Sequence, residues 1–205
     1  IDGKATQFES GIYEKIRSDL PEKLALSALD VAGAPAQTAK LVKPGDTVLI
    51  IGAGGKSGML CCYEAKKRAG VTGKVIGLCH SQRSTERLQK LGFWDYVYSA
   101  DATQLVPVME KIAELTNGEM CDITINNVNI TDTEMTSILC TKNDGLVYFF
   151  SMATSFTKAA LGAEGVGSDV TMIVGNGYTK GHAEITLQEL RESEALRKIF
   201  TELYA

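Results

Sequence analysis

The stretch Val48-Leu-Ile-Ile-Gly-Ala-Gly-Gly-Lys-Ser-Gly58 decides the fold, because an apolar run leads into closely spaced glycines and then into a helical pattern. Backbone amides must come within hydrogen-bonding distance of a pyrophosphate, and side chains would block that approach. The helix that follows presents unpaired N–H groups and the positive end of its dipole to the anion. The stretch therefore predicts a turn that binds the phosphates of a nucleotide cofactor, with donors from Gly54, Gly55, Lys56 and Ser57.

The glycine spacing departs from the strict G-x-G-x-x-G fingerprint. Gly52 and Gly54 supply its start, but the third glycine is expected where the chain has Ser57. Gly58 comes one residue later, and Gly52, Gly55 and Gly58 also fit a longer G-x-x-G-x-x-G turn. The G-x-x-x-x-G-K order of a P-loop is absent. A dinucleotide site is the favoured interpretation, with a plain glycine-rich turn as the alternative.

Apolar runs and helical patterns alternate along the chain, and this order is typical of a doubly wound sheet. We predict an α/β fold: a Rossmann-type six-stranded parallel sheet with helices on both faces. The predicted strands are 47–51, 74–79, 96–99, 122–126, 145–150 and 170–174. The predicted helices are 21–42 with a break near Gly33 and Pro35, then 56–69, 84–91, 103–116, 132–140, 157–164 and 186–204. Residues 1–205 form a single dinucleotide-binding domain with a leading helical segment (1–43), a Rossmann core (46–175) and a C-terminal helix (183–205).

Composition excludes several classes of function. With 205 residues, 21 basic and 25 acidic side chains, and a net charge of −4, nothing indicates nucleic-acid binding. No apolar run is long enough to cross a membrane, so we expect a soluble, cytoplasmic protein. The five cysteines lie in apolar patterns without metal-ligand spacing, and we interpret them as buried thiols and expect no metal site.

The end of the second strand bears on cofactor choice. An acidic residue here normally binds the adenosine ribose, but the chain has Cys79. Ser81 and Arg83 follow, and a hydroxyl with a guanidinium could accept a 2′-phosphate. These residues indicate that NADP is tolerated as a cofactor beside NAD. The alternative is that Arg83 is solvated and Ser84 caps the next helix.

Polar side chains also follow the fourth and fifth strands, at the edge where a ligand would lie. We predict cofactor contacts for Asn126, Asn127 and Ser151, with loop stabilisation as the alternative. Neither His80 nor His182 belongs to a catalytic or metal-binding array visible in the sequence. The catalytic residues are therefore not identified.

The segments Ala28–Gln37 and Val42–Val48, followed by the glycine turn, resemble the cofactor domain of the medium-chain dehydrogenase/reductase superfamily. The glycine turn, Cys79-His-Ser81 and Asn126-Asn-Val-Asn129 resemble a branch of that superfamily that acts on amino acids. The resemblance implies NAD-dependent oxidative deamination of a small amino-acid substrate. It also implies a homodimer that pairs through the last strand. The start at Ile1 agrees with an absent N-terminal, GroES-like domain that supplies most catalytic groups.

Three other functions stay open at this point. An NADPH-dependent quinone or ketone reductase of the same superfamily is compatible with the neutral end of the second strand. A module that binds NAD(H) without chemistry is compatible with the absence of a catalytic constellation. A methyltransferase using S-adenosylmethionine is disfavoured by the six-strand alternation and by the missing acid after strand two.

Overall fold

A parallel six-stranded sheet forms the centre of the computed structural model, which describes residues 3–11, 13–16, 18–175 and 178–205. The strand order is β3-β2-β1-β4-β5-β6, and every neighbouring pair is parallel. This confirms the predicted Rossmann-type sheet. The strands are β1 (Thr47–Ile51), β2 (Lys74–Cys79), β3 (Tyr96–Ser99), β4 (Cys121–Asn126), β5 (Thr141–Phe149) and β6 (Val170–Val174).

Strand β1 lies in the middle of the sheet and is apolar on both faces. Side chains of a strand alternate between the two faces. Val48 and Ile50 accordingly join the larger core cluster, whereas Leu49 and Ile51 join a second cluster on the other face. All four side chains are completely buried, as expected for a central strand covered by helices on both sides.

Nine helices are found in the described ranges, and they cover both faces of the sheet. The first face carries α1 (Glu22–Leu29), α2 (Gly33–Leu41), α3 (Lys56–Ala69), α4 (Gln82–Gln89), α8 (His182–Glu192) and α9 (Glu194–Tyr204). The second carries α5 (Leu105–Leu115), α6 (Glu134–Leu139) and α7 (Phe156–Val166). None of the helices in this part of the chain combines the length and apolar character that crossing a bilayer requires.

The predicted break in the first helix is confirmed, because α1 ends at Leu29 and α2 begins at Gly33, with Pro35 in its first turn, where a missing N–H is tolerated. Two other predicted elements differ from the structure by more than two residues. The predicted C-terminal helix is two helices, because Ser193 is extended and its hydroxyl caps α9 by accepting from the Leu196 amide at 3.1 Å. Strand β5 begins at Thr141 rather than Gly145, across an irregular pairing in which Asp144 has φ +62°.

All five cysteines are buried and free, as the sequence predicted. Burial raises the pKa of the Cys61 thiol to about 12 and the pKa of Cys62 well above its ordinary value. These thiols therefore act as small apolar side chains within the core.

Candidate functional site

The glycine turn joins β1 to α3 and is anchored on the neighbouring strand. The amides of Gly52 and Ala53 donate to the carbonyl of Leu78 in β2, at 2.9 and 3.0 Å. Gly52 has φ +83°, a conformation that favours glycine, and its carbonyl accepts from the Gly55 amide at 3.0 Å. The turn is thus a closed loop at the C-terminal edge of the sheet, where β1 lies between β2 and β4. This is the position at which open α/β sheets bind ligands.

Two glycines are required by their surroundings, and one faces open space. A Cβ on Gly52 would lie 2.6 Å from Val128 Cγ1, and a Cβ on Gly54 would lie 2.6 Å from Ser84 Cβ. At Gly55 the nearest atom to an added Cβ is a backbone oxygen at 3.4 Å, with no other atom within 4 Å. The backbone at Gly55 can therefore be approached closely by a phosphate.

Gly58 explains the shifted spacing. A Cβ at this position would lie 2.1 Å from the Gly52 carbonyl oxygen and 2.7 Å from Ala53 Cα, so α3 can pack on the turn only with glycine here. Close helix-to-strand packing is the role of the third glycine in the dinucleotide fingerprint. Gly58, one residue late, has that role, and Ser57 is buried beside it.

The first turn of α3 supplies the donors. Met59 is the first residue of this turn whose amide donates back to the turn, to the Gly55 carbonyl at 3.0 Å. The amides of Lys56, Ser57 and Gly58 precede it and belong to the N–H groups that a helix leaves unpaired. Together with the open surface at Gly55, these amides fit the pyrophosphate of a dinucleotide.

The Lys56 side chain does not point to this phosphate position. Its Nζ donates to Asp30 Oδ2 at 2.9 Å and lies 5.3 Å from the centre of the Tyr204 ring. The ammonium of Lys56 is therefore paired with a carboxylate outside the turn. Lys56 contributes its amide to the turn, while its side chain joins the end of α1 to α9.

The end of β2 places a buried thiol where an acid is usual. Cys79 is almost completely buried, and burial raises its pKa while bonds to Thr85, Ser84 and the Gly54 backbone oppose the rise. Ser81 caps α4, because its hydroxyl accepts from the Ser84 amide at 3.3 Å and lies 3.0 Å from the Ser84 hydroxyl. The N-cap is therefore Ser81 rather than Ser84, and Ser84 lies at N3, where its hydroxyl completes a capping box with Ser81.

Arg83 lies in the first turn of α4 and lines a cavity of about 540 Å³ between α4 and α9. Four basic and two acidic side chains line this cavity, so the lining carries an excess of positive charge. The polar lining residues are Arg83, Glu86, Arg87, Lys90, Lys198 and Glu202.

Asn126 lies beneath the site rather than in it. It is completely buried, and its Nδ2 donates to Thr133 Oγ1 and Ser137 Oγ, both at 2.9 Å. Its Oδ1 accepts from the Val128 amide at 3.1 Å. The Asn126 amide was predicted to contact the cofactor, but its nitrogen and oxygen both hold the loop after β4 instead.

Asn127 and Ser151 lie at the same sheet edge and differ in their hydrogen bonds. Asn127 Nδ2 is buried without a hydrogen-bond partner among the described residues, while Cys61 Sγ lies 3.9 Å from Asn127 Oδ1. An unpaired buried donor next to β1 is suited to a ligand oxygen. Ser151 is half-buried, and its hydroxyl accepts from the Ala153 amide at 3.1 Å, which stabilises the turn after β5.

Sequence reasoning missed three residues around the turn. Val128 covers Gly52, and Asp30 and Tyr204 contact Lys56. They are distant from the turn along the chain, and no local pattern marks them. Among the described residues no group of three or more His, Cys, Asp or Glu side chains could hold a metal ion.

The sheet order, the switch point and the turn define a dinucleotide-binding domain of the dehydrogenase type. The profile of a family described as zinc-binding dehydrogenase matches residues 58–175, and the chain belongs to that family. It is 65% identical over 204 residues to the L-erythro-3,5-diaminohexanoate dehydrogenase of Acetoanaerobium sticklandii and 58% identical to that of Fusobacterium nucleatum. These alignments cover 100% of this chain and 59% of each relative.

Solved structures agree on the fold. The alcohol dehydrogenase TADH from Thermus sp. ATN1 superposes with a TM-score of 0.66 at 22% identity, over 90% of this chain and 52% of that chain. At this identity the likeness shows the fold alone. The chain spans about three fifths of the length of the curated relatives it matches.

Proposed function

We propose that this chain is the cofactor-binding part of an L-erythro-3,5-diaminohexanoate dehydrogenase. The observation that carries the proposal is the 65% identity to such an enzyme along the whole chain. Oxidation of the C3 amine and hydrolysis of the resulting imine would leave 5-amino-3-oxohexanoate and ammonium, a step of lysine fermentation. The nicotinamide, when bound, supplies the acceptor for the hydride that leaves C3.

The turn geometry supports binding of a nicotinamide dinucleotide. We assign the pyrophosphate to the amides of Lys56, Ser57 and Gly58, because the Gly55 amide already donates to Gly52 and the Gly54 amide to Cys79. Gly55 leaves the approach open, and Gly58 lets α3 pack on the turn. Asn127 would donate its unpaired Nδ2 to the nicotinamide half of the cofactor. Ser151 lies at the same edge and would support the cofactor site by stabilising the turn after β5.

The dehydrogenase relatives support a nicotinamide cofactor, which we propose is NAD, and the adenosine end supports NADP as a second one. No carboxylate ends β2 to select the ribose of NAD, because Cys79 occupies that position. Arg83 lies beside Ser81 at the start of α4, in a cavity with an excess of positive charge. A 2′-phosphate could bind there through charge-assisted hydrogen bonds.

The outer edge of the sheet supports a homodimer. Gly175 donates its amide to Phe149 of β5, and amides alternate along a strand, so those of Met172 and Val174 point away from β5. Val174 is partly exposed at this edge, and Phe156 and Leu161 of α7 are exposed on the adjoining surface. Unpaired edges with apolar neighbours are suited to pairing with a second copy.

We also propose that the enzyme is cytoplasmic.

The test uses the longer protein that contains this chain. With NAD and L-erythro-3,5-diaminohexanoate, absorbance of NADH should rise and ammonium should appear in equal amount. NADH formation without ammonium would contradict deamination. Activity on quinones with NADPH, together with no reaction on the diamino acid, would replace the proposal by the reductase alternative.

Calorimetry separates cofactor binding from chemistry. NAD should bind the wild-type protein, and the Gly55→Val variant should bind it at least about tenfold more weakly, since the added side chain would cover the open approach to the turn. The control is Gly165→Val, at an exposed position in α7. Unchanged NAD binding by Gly55→Val would remove the glycine turn from the site.

A further inference from the structure

A second cavity, of about 300 Å³, lies between α2 and the carboxyl end of β6. It is at the edge of the sheet that carries β4, β5 and β6, whereas the cavity at Arg83 is on the β2 side of β1. In a doubly wound sheet, the strands on either side of the switch point bind the two nucleotide halves of a dinucleotide. Its lining includes Gln37, Lys40, Tyr148, Ile173, Val174 and Lys180.

The polar lining of this cavity is rich in hydrogen-bond donors and contains no carboxylate. Lys40 and Lys180 are exposed, and no acidic partner is found for either among the residues that the structure describes. Gln37 Oε1 accepts from Thr179 Oγ1 at 3.0 Å. That bond uses the amide oxygen of Gln37 and leaves its two N–H donors for another partner.

Tyr148 adds a hydroxyl to the cavity wall. Its side chain is 1% exposed, and no hydrogen bond to its Oη is found in the described part of the chain. Gly175 makes room for the ring, because a Cβ there would lie 2.8 Å from Tyr148 Cε2 and 3.0 Å from its Oη. A hydroxyl at a cavity wall is suited to a ligand oxygen.

We propose that this cavity binds a carboxylate. Two ammonium groups, a hydroxyl and an amide are donors that match a carboxylate, and Ile173 and Val174 offer an apolar wall for a short carbon chain. Its volume lies at the lower end of the range for small-molecule sites. The carboxylate of the diamino acid is the first source, and this part of the inference rests on the proposed function. A free small oxyanion is the second source.

The first arm of the test is kinetic and uses the longer protein. In a Lys40→Gln, Lys180→Gln double variant, the KM for the diamino acid should rise about tenfold for each lysine removed, with the KM for NAD unchanged. The carboxamide of the same substrate should react equally with wild type and double variant, because it lacks the charge. Tyr148→Phe should raise the KM for the acid about threefold. Lys23→Gln, an exposed lysine of α1, is the matched control and should change nothing.

The second arm uses acetate and needs no nicotinamide chemistry. Acetate should raise the midpoint of thermal unfolding of the wild type in a saturable way against sodium chloride of equal ionic strength, and the double variant should not respond. Loss of the acetate effect with an unchanged KM would identify a free oxyanion as the ligand. An unchanged KM and an unchanged acetate response would overturn the proposal. A wild type that responds to acetate but forms no NADH would contradict the proposed function alone.

Discussion

Glu64 of α3 and Glu189 of α8 are both completely buried where the two helices pack, and neither oxygen of Glu189 has a hydrogen-bond partner among the described residues. Glu64 Oε1 accepts from Arg68 Nε at 2.7 Å. Burial, followed by the nearby charge of Glu64, raises the pKa of Glu189 well above its ordinary value, while Lys67 and Arg68 oppose the rise and Glu192 adds to it. Burial therefore favours the protonated form of the Glu189 carboxyl.

Stability should fall as pH rises, because folded Glu189 keeps a proton that the unfolded chain releases near pH 4.5. The contribution is fully present below that pH and is lost as pH rises towards the folded pKa, at up to about 1.4 kcal/mol per pH unit. Glu189→Gln should flatten this dependence in urea unfolding between pH 5 and 8. The exposed control Glu164→Gln should retain it, and an unchanged slope in Glu189→Gln would show that Glu189 ionises in the folded state.

Gly58→Ala should disrupt the turn. Its new Cβ would overlap the Gly52 carbonyl, so we expect about 1–3 kcal/mol of destabilisation and a loss of NAD affinity of at least about tenfold. The control is Gly165→Ala in α7, where an added Cβ meets no atom within 4 Å. That variant should gain about 0.5–1 kcal/mol from helix propensity. Denaturant unfolding and calorimetry measure both, and normal NAD binding by Gly58→Ala would contradict the assigned packing role.

Arg83→Ala should weaken NADP binding about tenfold and NAD binding less than about twofold, since only NADP carries a 2′-phosphate for the guanidinium. Lys90→Ala, at the far end of α4 in the same cavity, tests whether the general positive charge suffices. Calorimetry measures the dissociation constants of NAD and NADP for each variant relative to wild type. Equal losses for NAD and NADP in Arg83→Ala would exclude a 2′-phosphate contact.

Asn126→Leu should destabilise the protein by about 2–4 kcal/mol, because it removes one group from a buried network and leaves the Thr133 hydroxyl and the Val128 amide without that partner. Amide exchange in the loop 127–133 should accelerate more than exchange in β1. Asn129→Ala, an exposed position in the same loop, should stay within about 0.5 kcal/mol of wild type. Unchanged stability with a selective loss of NAD affinity would instead place Asn126 in the cofactor site.

Val174→Lys should convert the proposed dimer to a monomer, since a charge on an edge strand opposes pairing with a second strand. Sedimentation velocity of the longer protein measures the change. Val71→Lys, at a loop position that is 100% exposed, is the control and should leave the association state unchanged. A dimer that persists in Val174→Lys would exclude β6 as its interface.

The sequence predicted the fold well where the pattern was uninterrupted. Strands β1, β2, β3 and β6 and helix α3 have the predicted bounds, because apolar runs and the glycine turn set their limits locally. The start of β5 was missed because Lys142, Asn143 and Asp144 are polar, and their place in the sheet depends on the irregular pairing with β4. The break at Ser193 was missed because the apolar period continues on both sides of it.

The site was less predictable than the fold. Strand ends correctly indicated which residues reach the C-terminal edge, but not where each side chain would point. Asn126 and Asn127 are adjacent, yet the first is fully engaged below the loop and the second has an unpaired donor. Tertiary packing decides that Asn126 bonds to Thr133 and that Lys56 bonds to Asp30, and the local sequence does not encode this packing.

The Lys56 ammonium touches Asp30 at the end of α1 and the Tyr204 ring in α9, while its amide belongs to the phosphate turn. In spectroscopic terms, Tyr204 is an internal probe of that turn. A ligand that draws Lys56 towards its phosphates would remove a cation from the face of the ring, and the aromatic proton resonances of Tyr204 would shift. Occupancy of the turn could then be read at the last helix without labelling either the cofactor or the turn.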